Sequence, residues 1–247
     1  PKPMLQTILE NFIKEGFHQF YLSINYKADL IKEYFGDGSR WNVSISYLEE
    51  EKKLGTAGAL SIFPETPDLP VIVINGDVLT KVNFKSLVEF HNAINSPATV
   101  CVREYDFQVP YGVIEVDGYV VDKLEEKPVH KCFINTGIYV LNPECLAYVP
   151  ENKRYDMTDL LNALLADDKV VGSFPVREYW LDVGRHADYA KANNEFEQNV
   201  KEAVLLTANN EDEHAHLIPI DAEEVMVEED SVREERPGRV RSGTDAL

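Results

Sequence analysis

The sequence predicts an α/β fold, a Rossmann-like three-layer sandwich on a mostly parallel mixed sheet. Three observations carry this expectation. Val71–Ile74 is an unbroken run of four β-branched residues, the composition of a strand buried on both faces of such a sheet. Strand-like and helix-like segments alternate before it, as in a doubly wound sheet. Phe133–Leu141, FINTGIYVL, is a second, largely apolar strand-like run.

In chain order, Pro1–Leu5 is held extended by its prolines. A helix is expected from Gln6 to Glu15, with Ile8, Leu9, Phe12 and Ile13 on one face and Gly16 as its stop. Phe20–Ile24 reads as a strand, Ala28–Phe35 as a helix and Val43–Leu48 as an alternating strand. Leu54-Gly55-Thr56-Ala57-Gly58 follows as a small-residue loop opening a helix. It either lets a flat or anionic ligand reach the backbone or simply packs a helix tightly on the sheet. It is not a P-loop, because no GK[ST] follows.

The central run stops at Asn75-Gly76-Asp77. Those residues are ordinary turn formers, but a carboxylate at a strand's C-terminal end also sits where open α/β sheets bind ligands. Asn83 can cap a helix running to about Asn95. Ala98–Arg103 is a strand, and Asp117-Gly118 between two alternating segments marks a hairpin. The hairpin ends at Leu124-Glu125-Glu126-Lys127-Pro128, either a solvated charge cluster or a site for a sugar hydroxyl and a phosphate. Gly137, inside the FINTGIYVL run, costs stability unless something approaches the backbone there. Asn142-Pro143 is expected to start a helix, Met157–Ala166 is an amphipathic helix, and Val170–Val176 is a strand. Tyr179–Gly184 places a second carboxylate, Asp182, at a strand-like end. In a parallel sheet such ends meet along one edge, next to Asp77. A last helix is expected from about His186 to Ala203.

Residues 1–200 form the predicted domain, and residues 201–247 an acidic C-terminal extension, mobile or peripherally docked. The extension holds 13 acidic and 5 basic residues. His214 and His216 match no metal signature and read as solvated surface. The 247 residues are 44% hydrophobic, ample for a full core, and carry a net charge of −19. That charge argues against non-specific nucleic-acid binding. No apolar run approaches the ~20 residues that span a bilayer, and no signal peptide is visible, so no membrane partner is expected. Cys101, Cys132 and Cys145 suggest neither a disulfide framework nor a CxxC metal site, so a reduced, cytoplasmic protein is expected.

Seven segments then fall in one order: PKPML, LGTAGAL, NGD, YGVIEVDG, LEEKP, NTGIYVL and WLDVGR. Together, over roughly residues 1–200, they resemble the sugar-1-phosphate nucleotidylyltransferase family, whose fold is of the nucleotide-diphospho-sugar transferase type. The segments NGDVLTKVNF, VREYDF and EYWLDVGRHADYAKAN are similar to those of members from bacterial surface-sugar pathways, including guanylyltransferases acting on hexosamine or mannose 1-phosphates. The resemblance implies that an NTP, GTP in the first place, and a sugar 1-phosphate combine to an NDP-sugar and pyrophosphate. It further implies that Asp77 and Asp182 hold Mg²⁺, a hard cation suited to carboxylate oxygens. Lys127 would bind the sugar's phosphate and Glu126 the sugar hydroxyls, while Gly112 and Asn135 would line the sugar pocket. The backbone of Leu54, Gly55, Thr56, Ala57 and Gly58 would face the base, and Asp77 would also touch the nucleotide. Lys2 matches the lysine that closes the family's phosphate-binding signature. A homo-oligomer is compatible with the resemblance.

The family's G-x-G-T-R signature before PKP is absent from this sequence, as is a short stretch between Leu5 and Gln6. The resemblance implies that both belong to a longer chain, with a break at Leu5–Gln6. Two other readings share much of this pattern. One is a non-catalytic sugar-nucleotide-binding regulatory subunit. The other is a glycosyltransferase using an NDP-sugar, although such enzymes usually carry a D-x-D motif where this chain has Asn75-Gly76-Asp77.

Overall fold

The computed structural model describes residues 2–183 and, as backbone, residues 224–228. The helices are α1 (Met4–Lys14), α2 (Ala28–Phe35), α3 (Phe84–Ile94) and α4 (Met157–Ala166). The strands are β1 (Gln19–Ile24), β2 (Ser44–Glu49), β3 (Val71–Asn75), β4 (Val78–Thr80), β5 (Ala98–Gln108), β6 (Gly112–Asp117), β7 (Val120–Glu126), β8 (Val129–Leu141), β9 (Val171–Pro175), β10 (Trp180–Asp182) and β11 (Glu224–Glu228). Among the described residues the main sheet has the order β2-β1-β11-β3-β8-β5-β9, beside the pairs β10-β4 and β6-β7. β8 runs antiparallel to both its neighbours, and the other contacts in the main sheet are parallel. The expected mixed, mostly parallel α/β sheet is therefore present.

β3 shows why its run is apolar throughout. Successive strand residues face opposite sides of the sheet. Ile72 and Ile74 pack with Phe12, Phe20, Leu22 and Phe84, under α1 and α3. Val71 and Val73 pack with Leu60, Leu141, Met157 and Leu160, under α4. All four β3 residues from Val71 to Ile74 are fully buried, so both helical layers rest on one strand. The rings of Phe12 and Phe84 stack at 3.8 Å between centroids, fastening α1 to α3. Glu15, just past α1, accepts hydrogen bonds from the amides of Phe84 and Lys85 and so caps the start of α3. Burial nevertheless pushes its carboxyl above the usual carboxylate range. Asn83 caps the same helix through Ser86 N–H, as the sequence predicts.

Four differences from the sequence expectations have physical causes. The segments after Ala57 and Asn142 are 3₁₀ turns, Gly58–Ile62 and Pro143–Tyr148, rather than α-helices. Each stretch is too short for a stable α-helix, and 3₁₀ geometry suits such connectors. α1 starts at Met4 and passes through Leu5–Gln6 as continuous helix, with Thr7 N–H bonded to Pro3 O. Asp182 does not end a strand of the parallel sheet. β10 is a separate short strand, antiparallel to β4. Finally, Glu224–Glu228, within the stretch expected to be mobile or peripheral, lies inside the sheet. β11 pairs in parallel with β1 on one side and β3 on the other, satisfying two strand edges that would otherwise be open. The expected helix at 186–203 and His214 and His216 lie outside the described residues. Among the described residues no helix is long and apolar enough to cross a membrane.

Candidate active site

Parallel strands set the site's location. β1, β2, β11 and β3 all point their C-terminal ends at one edge of the sheet. That edge carries Glu50 after β2 and the Asn75-Gly76-Asp77 turn after β3. The paired halves of β5 and β8 project past it, Val102–Gln108 against Asn135–Val129. A groove of about 480 Å³ between Leu60–Thr66 and Pro143–Glu151 lies at the opposite edge, where β3 begins and β8 ends.

Asp77 and Asp182 are brought together by the β4/β10 pair. Asp182 is the register partner of Val78, the residue after Asp77. Val183 N–H donates to Asp77 O at 3.0 Å, and at the other end of the pair Lys81 N–H donates to Tyr179 O at 2.9 Å. Both are carboxylates at this C-terminal edge, Asp77 half-buried and Asp182 exposed. Among the described residues no cluster of three or more His, Cys, Asp or Glu could hold a metal by itself. Two carboxylates do fit Mg²⁺, which typically takes one or two from the protein and the rest of its ligands from phosphates and water. Lys2 precedes α1, whose Met4 packs on Leu79 and Val183 beside that pair. Its ammonium pairs with Glu10 at 2.5 Å.

The residues expected on the sugar side lie on the β6/β7 hairpin and on the bulge in β8. Gly112 and Glu126 are register partners. A Cβ on Gly112 would lie 3.0 Å from the Glu126 carboxylate, so a glycine there leaves that carboxylate room. Lys127 sits at φ +48°, with its amide on Tyr111 O and its carbonyl accepting from the Gln108 side chain. This left-handed kink breaks β7 from β8 and leaves Lys127 exposed, 4.0 Å from Glu126. The register of β5 against β8 shifts between Val100 and Val102, opposite Thr136–Ile138, a bulge of the kind that re-aims side chains near active sites. Thr136 Oγ1 bonds Cys101 O, and Trp180 Nε1–H donates to Thr136 O at 2.8 Å. The bulge is thereby tied to the strand that bears Asp182. Gly137, at φ +74°, answers the question its place in the strand raises: a Cβ there would meet the Asn75 side chain at 2.8 Å. Asn135 sits on the bulge, but its amide is already used, accepting from Gly137 N–H and donating to Tyr139 Oη.

The small-residue loop is anchored to the start of α4. Tyr155 N–H donates to Leu54 O, Ala57 N–H to Tyr155 O, and Thr56 N–H to the Asp156 carboxylate. Met157 N–H in turn donates to Thr56 Oγ1 at 2.7 Å. Gly58 N–H bonds Gly55 O, and Leu54 N–H bonds the Glu50 carboxylate. A Cβ at Gly55 or Gly58 would meet Asp156 Oδ1 at 2.4 Å or Leu54 Cβ at 2.5 Å, so both glycines serve close packing. Most of the loop's amides are thus spent inside the protein. Glu50, which sequence reasoning missed, is its anchor: it also accepts from Ser23 Oγ at 2.5 Å, while its backbone oxygen takes the Asn25 amide. An acid at the end of an alternating strand carries no local signal for this role.

Against this geometry stand the known proteins that the chain is similar to. The sequence profile described as nucleotidyl transferase matches residues 1–199. The mannose-1-phosphate guanyltransferase of Debaryomyces hansenii is 31% identical over 200 residues, and that of Candida albicans 32%. In each case the match covers 76% of this chain and 54% of the relative, so the chain spans about half the length of these curated relatives. Among solved structures, HddC from Yersinia pseudotuberculosis superposes with a TM-score of 0.59 at 28% identity, covering 79% of this chain and 86% of that one. The same protein complexed with GMP-PN gives 0.60 at 27%. A family profile spanning residues 1–199 on an α/β sheet of this kind leads to one conclusion: the chain belongs to the nucleotidyl transferase family.

Proposed function

We propose that the protein joins a nucleoside triphosphate, GTP in the first place, to a sugar 1-phosphate, giving an NDP-sugar and pyrophosphate. The observation that carries this reading is the β4/β10 pair, which sets Asp77 and Asp182 in neighbouring positions at the ligand edge of the sheet. GTP is favoured because the relatives include mannose-1-phosphate guanyltransferases and a protein crystallised with GMP-PN.

In the proposed reaction a phosphate oxygen of the sugar 1-phosphate attacks the α-phosphorus in line. A new P–O bond forms as the bond to the β-phosphate oxygen breaks, and its electron pair leaves with pyrophosphate. No covalent enzyme intermediate is required, so positioning and charge neutralisation supply the rate. Asp77 and Asp182 are the residues that would hold Mg²⁺. That ion would neutralise charge on the triphosphate. Lys127 draws in the attacking phosphate as a point charge, exposed at the kink between β7 and β8. Glu126 accepts from sugar hydroxyls in the space left by Gly112. Asn135, its amide already bonded, shapes the pocket rather than contacting the sugar. Lys2 steadies the departing phosphates by leaving its pairing with Glu10. That exposed pair is worth little and is readily exchanged. The loop Leu54–Gly58 walls the base, held in place by Glu50.

The test is Asp77→Asn and Asp182→Asn, read by steady-state kinetics across a Mg²⁺ titration beside a thermal melt. Each substitution keeps shape and removes charge. Each is expected to lower kcat at least ~100-fold, about 3 kcal/mol, the scale of losing one transition-state charge contact. Folding should change little, since each substitution is isosteric and Asn also suits the turn at Asp77. Near-normal rates at saturating Mg²⁺ would show that the two carboxylates serve only the local structure.

A further inference from the structure

We infer that Asn75 contacts substrate: its side-chain oxygen accepts a hydrogen bond from a carbohydrate hydroxyl, on the sugar 1-phosphate or on the ribose of the nucleotide. The inference rests on the function proposed above and adds a residue to that site. Asn75 Oδ1 is buried and has no hydrogen-bond partner among the described residues. Buried acceptors are almost always satisfied, and an orphan one weakens the fold. An Asn that merely formed the turn would bond its own backbone two residues on, and this one makes no such bond.

Its position gives the orphan a purpose. Asn75 ends β3 immediately before Gly76 and Asp77, with Glu228 as its register neighbour on one side. On the other side lies Gly137, where the left-handed backbone and missing Cβ make room for the Asn75 amide. An unsatisfied oxygen and a bulge shaped to admit its side chain therefore meet at this edge. Among the described residues, the polar groups on the bulge are already engaged: the Asn135 amide at both ends, Thr136 Oγ1 on Cys101 O, and Thr136 O by Trp180. Among these, Asn75 Oδ1 is the acceptor left over. An amide oxygen only accepts, and an ionised phosphate offers no donor, whereas a sugar or ribose hydroxyl does. Both substrates carry several.

The experiment uses GTP with mannose 1-phosphate as the probe pair, then singly deoxygenated mannose 1-phosphates, 2′-deoxy-GTP and 3′-deoxy-GTP. Wild type is compared with Asn75→Leu, of similar volume without the acceptor, and with Asn75→Asp, which keeps it. One deoxy analogue is expected to cost wild type about 10-fold in kcat/KM, the scale of one neutral hydrogen bond. It should cost Asn75→Leu nothing, and Asn75→Asp should retain the discrimination. Which analogue responds assigns the hydroxyl to sugar or ribose. The melting temperature of Asn75→Leu should not fall, because the orphan is gone. If that variant does not fold, the wild-type and Asn75→Asp series still decide. The assignment is overturned if no deoxy analogue is discriminated by wild type, if Asn75→Leu discriminates equally, or if Asn75→Leu shifts the Mg²⁺ half-saturation instead. A wild-type chain that neither turns over nor binds the probe pair or any other NTP and sugar 1-phosphate overturns the proposed function, and this assignment with it, before any variant is made.

Discussion

Gly137→Ala places a side chain at a constrained point of the bulge, and its cost can be worked from the geometry. The residue sits at φ +74°, where a Cβ crowds the backbone at a cost of about 1–2 kcal/mol. The new methyl would also lie 2.8 Å from Asn75 Nδ2 and 3.0 Å from Asn75 Cγ. Asn75 must then leave its rotamer or the bulge must shift, an overpacking cost of about 1–3 kcal/mol. The lower entropy of an unfolded chain bearing Ala returns about 0.4–1 kcal/mol. The net is a loss of about 1–5 kcal/mol, which for a domain of this size lowers the melting temperature by roughly 2–20 °C. Urea unfolding of wild type, Gly137→Ala, Asn75→Ala and the double variant separates the two causes. The overlap with Asn75 should vanish in the double variant, leaving it less destabilised than the sum of the singles by at least ~1 kcal/mol. Strict additivity would refute the contact, and a loss under ~0.5 kcal/mol for Gly137→Ala alone would refute the strain as well.

Three further outcomes follow from the same geometry. Gly55→Ala, at φ +83° with its Cβ against Asp156 Oδ1, should loosen the loop from α4 and raise KM for the nucleotide more than it lowers kcat, measured by initial rates. His91 is buried between Thr99 Oγ1 and Asn142 Oδ1, and burial holds its imidazole below the ordinary histidine range. The unfolded chain therefore takes up a proton that the folded one resists. This contribution is complete above about pH 6.5 and is lost as pH falls toward the folded value, with a slope of at most ~1.4 kcal/mol per pH unit. In urea melts across pH, the stability difference between wild type and His91→Gln should shrink through that window; a constant difference would contradict it. Truncation after Val200 removes β11 from between β1 and β3 and should abolish cooperative unfolding, whereas truncation after Glu228 should keep it.

Much of this was legible in the sequence because local chemistry and fold agree. Val71–Ile74 announced a strand buried on both faces, Asp117-Gly118 marked the hairpin, and Asn83 marked the start of α3. The interior Gly137 signalled a close approach, although nothing local named Asn75 as the neighbour. What stayed hidden depends on pairing between distant segments. Asp182 reaches Asp77 through an antiparallel three-residue strand, a contact that strand-end patterns do not specify. The short apolar run Val225-Met226-Val227 is flanked by glutamates within a highly acidic stretch, so average charge concealed a strand that the open slot between β1 and β3 selects. The loop at Leu54–Gly58 supported two readings, and its partners at 153–157 lie about a hundred residues away, so packing and ligand approach could not be told apart from spacing alone.

The proposed coupling of a nucleoside triphosphate to a sugar 1-phosphate is measured by pyrophosphate release across a matrix of four NTPs and a panel of sugar 1-phosphates in Mg²⁺. The expected release requires both substrates, is highest in kcat/KM with GTP, and falls at least ~100-fold in Asp77→Asn. Release at equal rates without any sugar 1-phosphate, or nucleotide binding with no release for any pair, would contradict it.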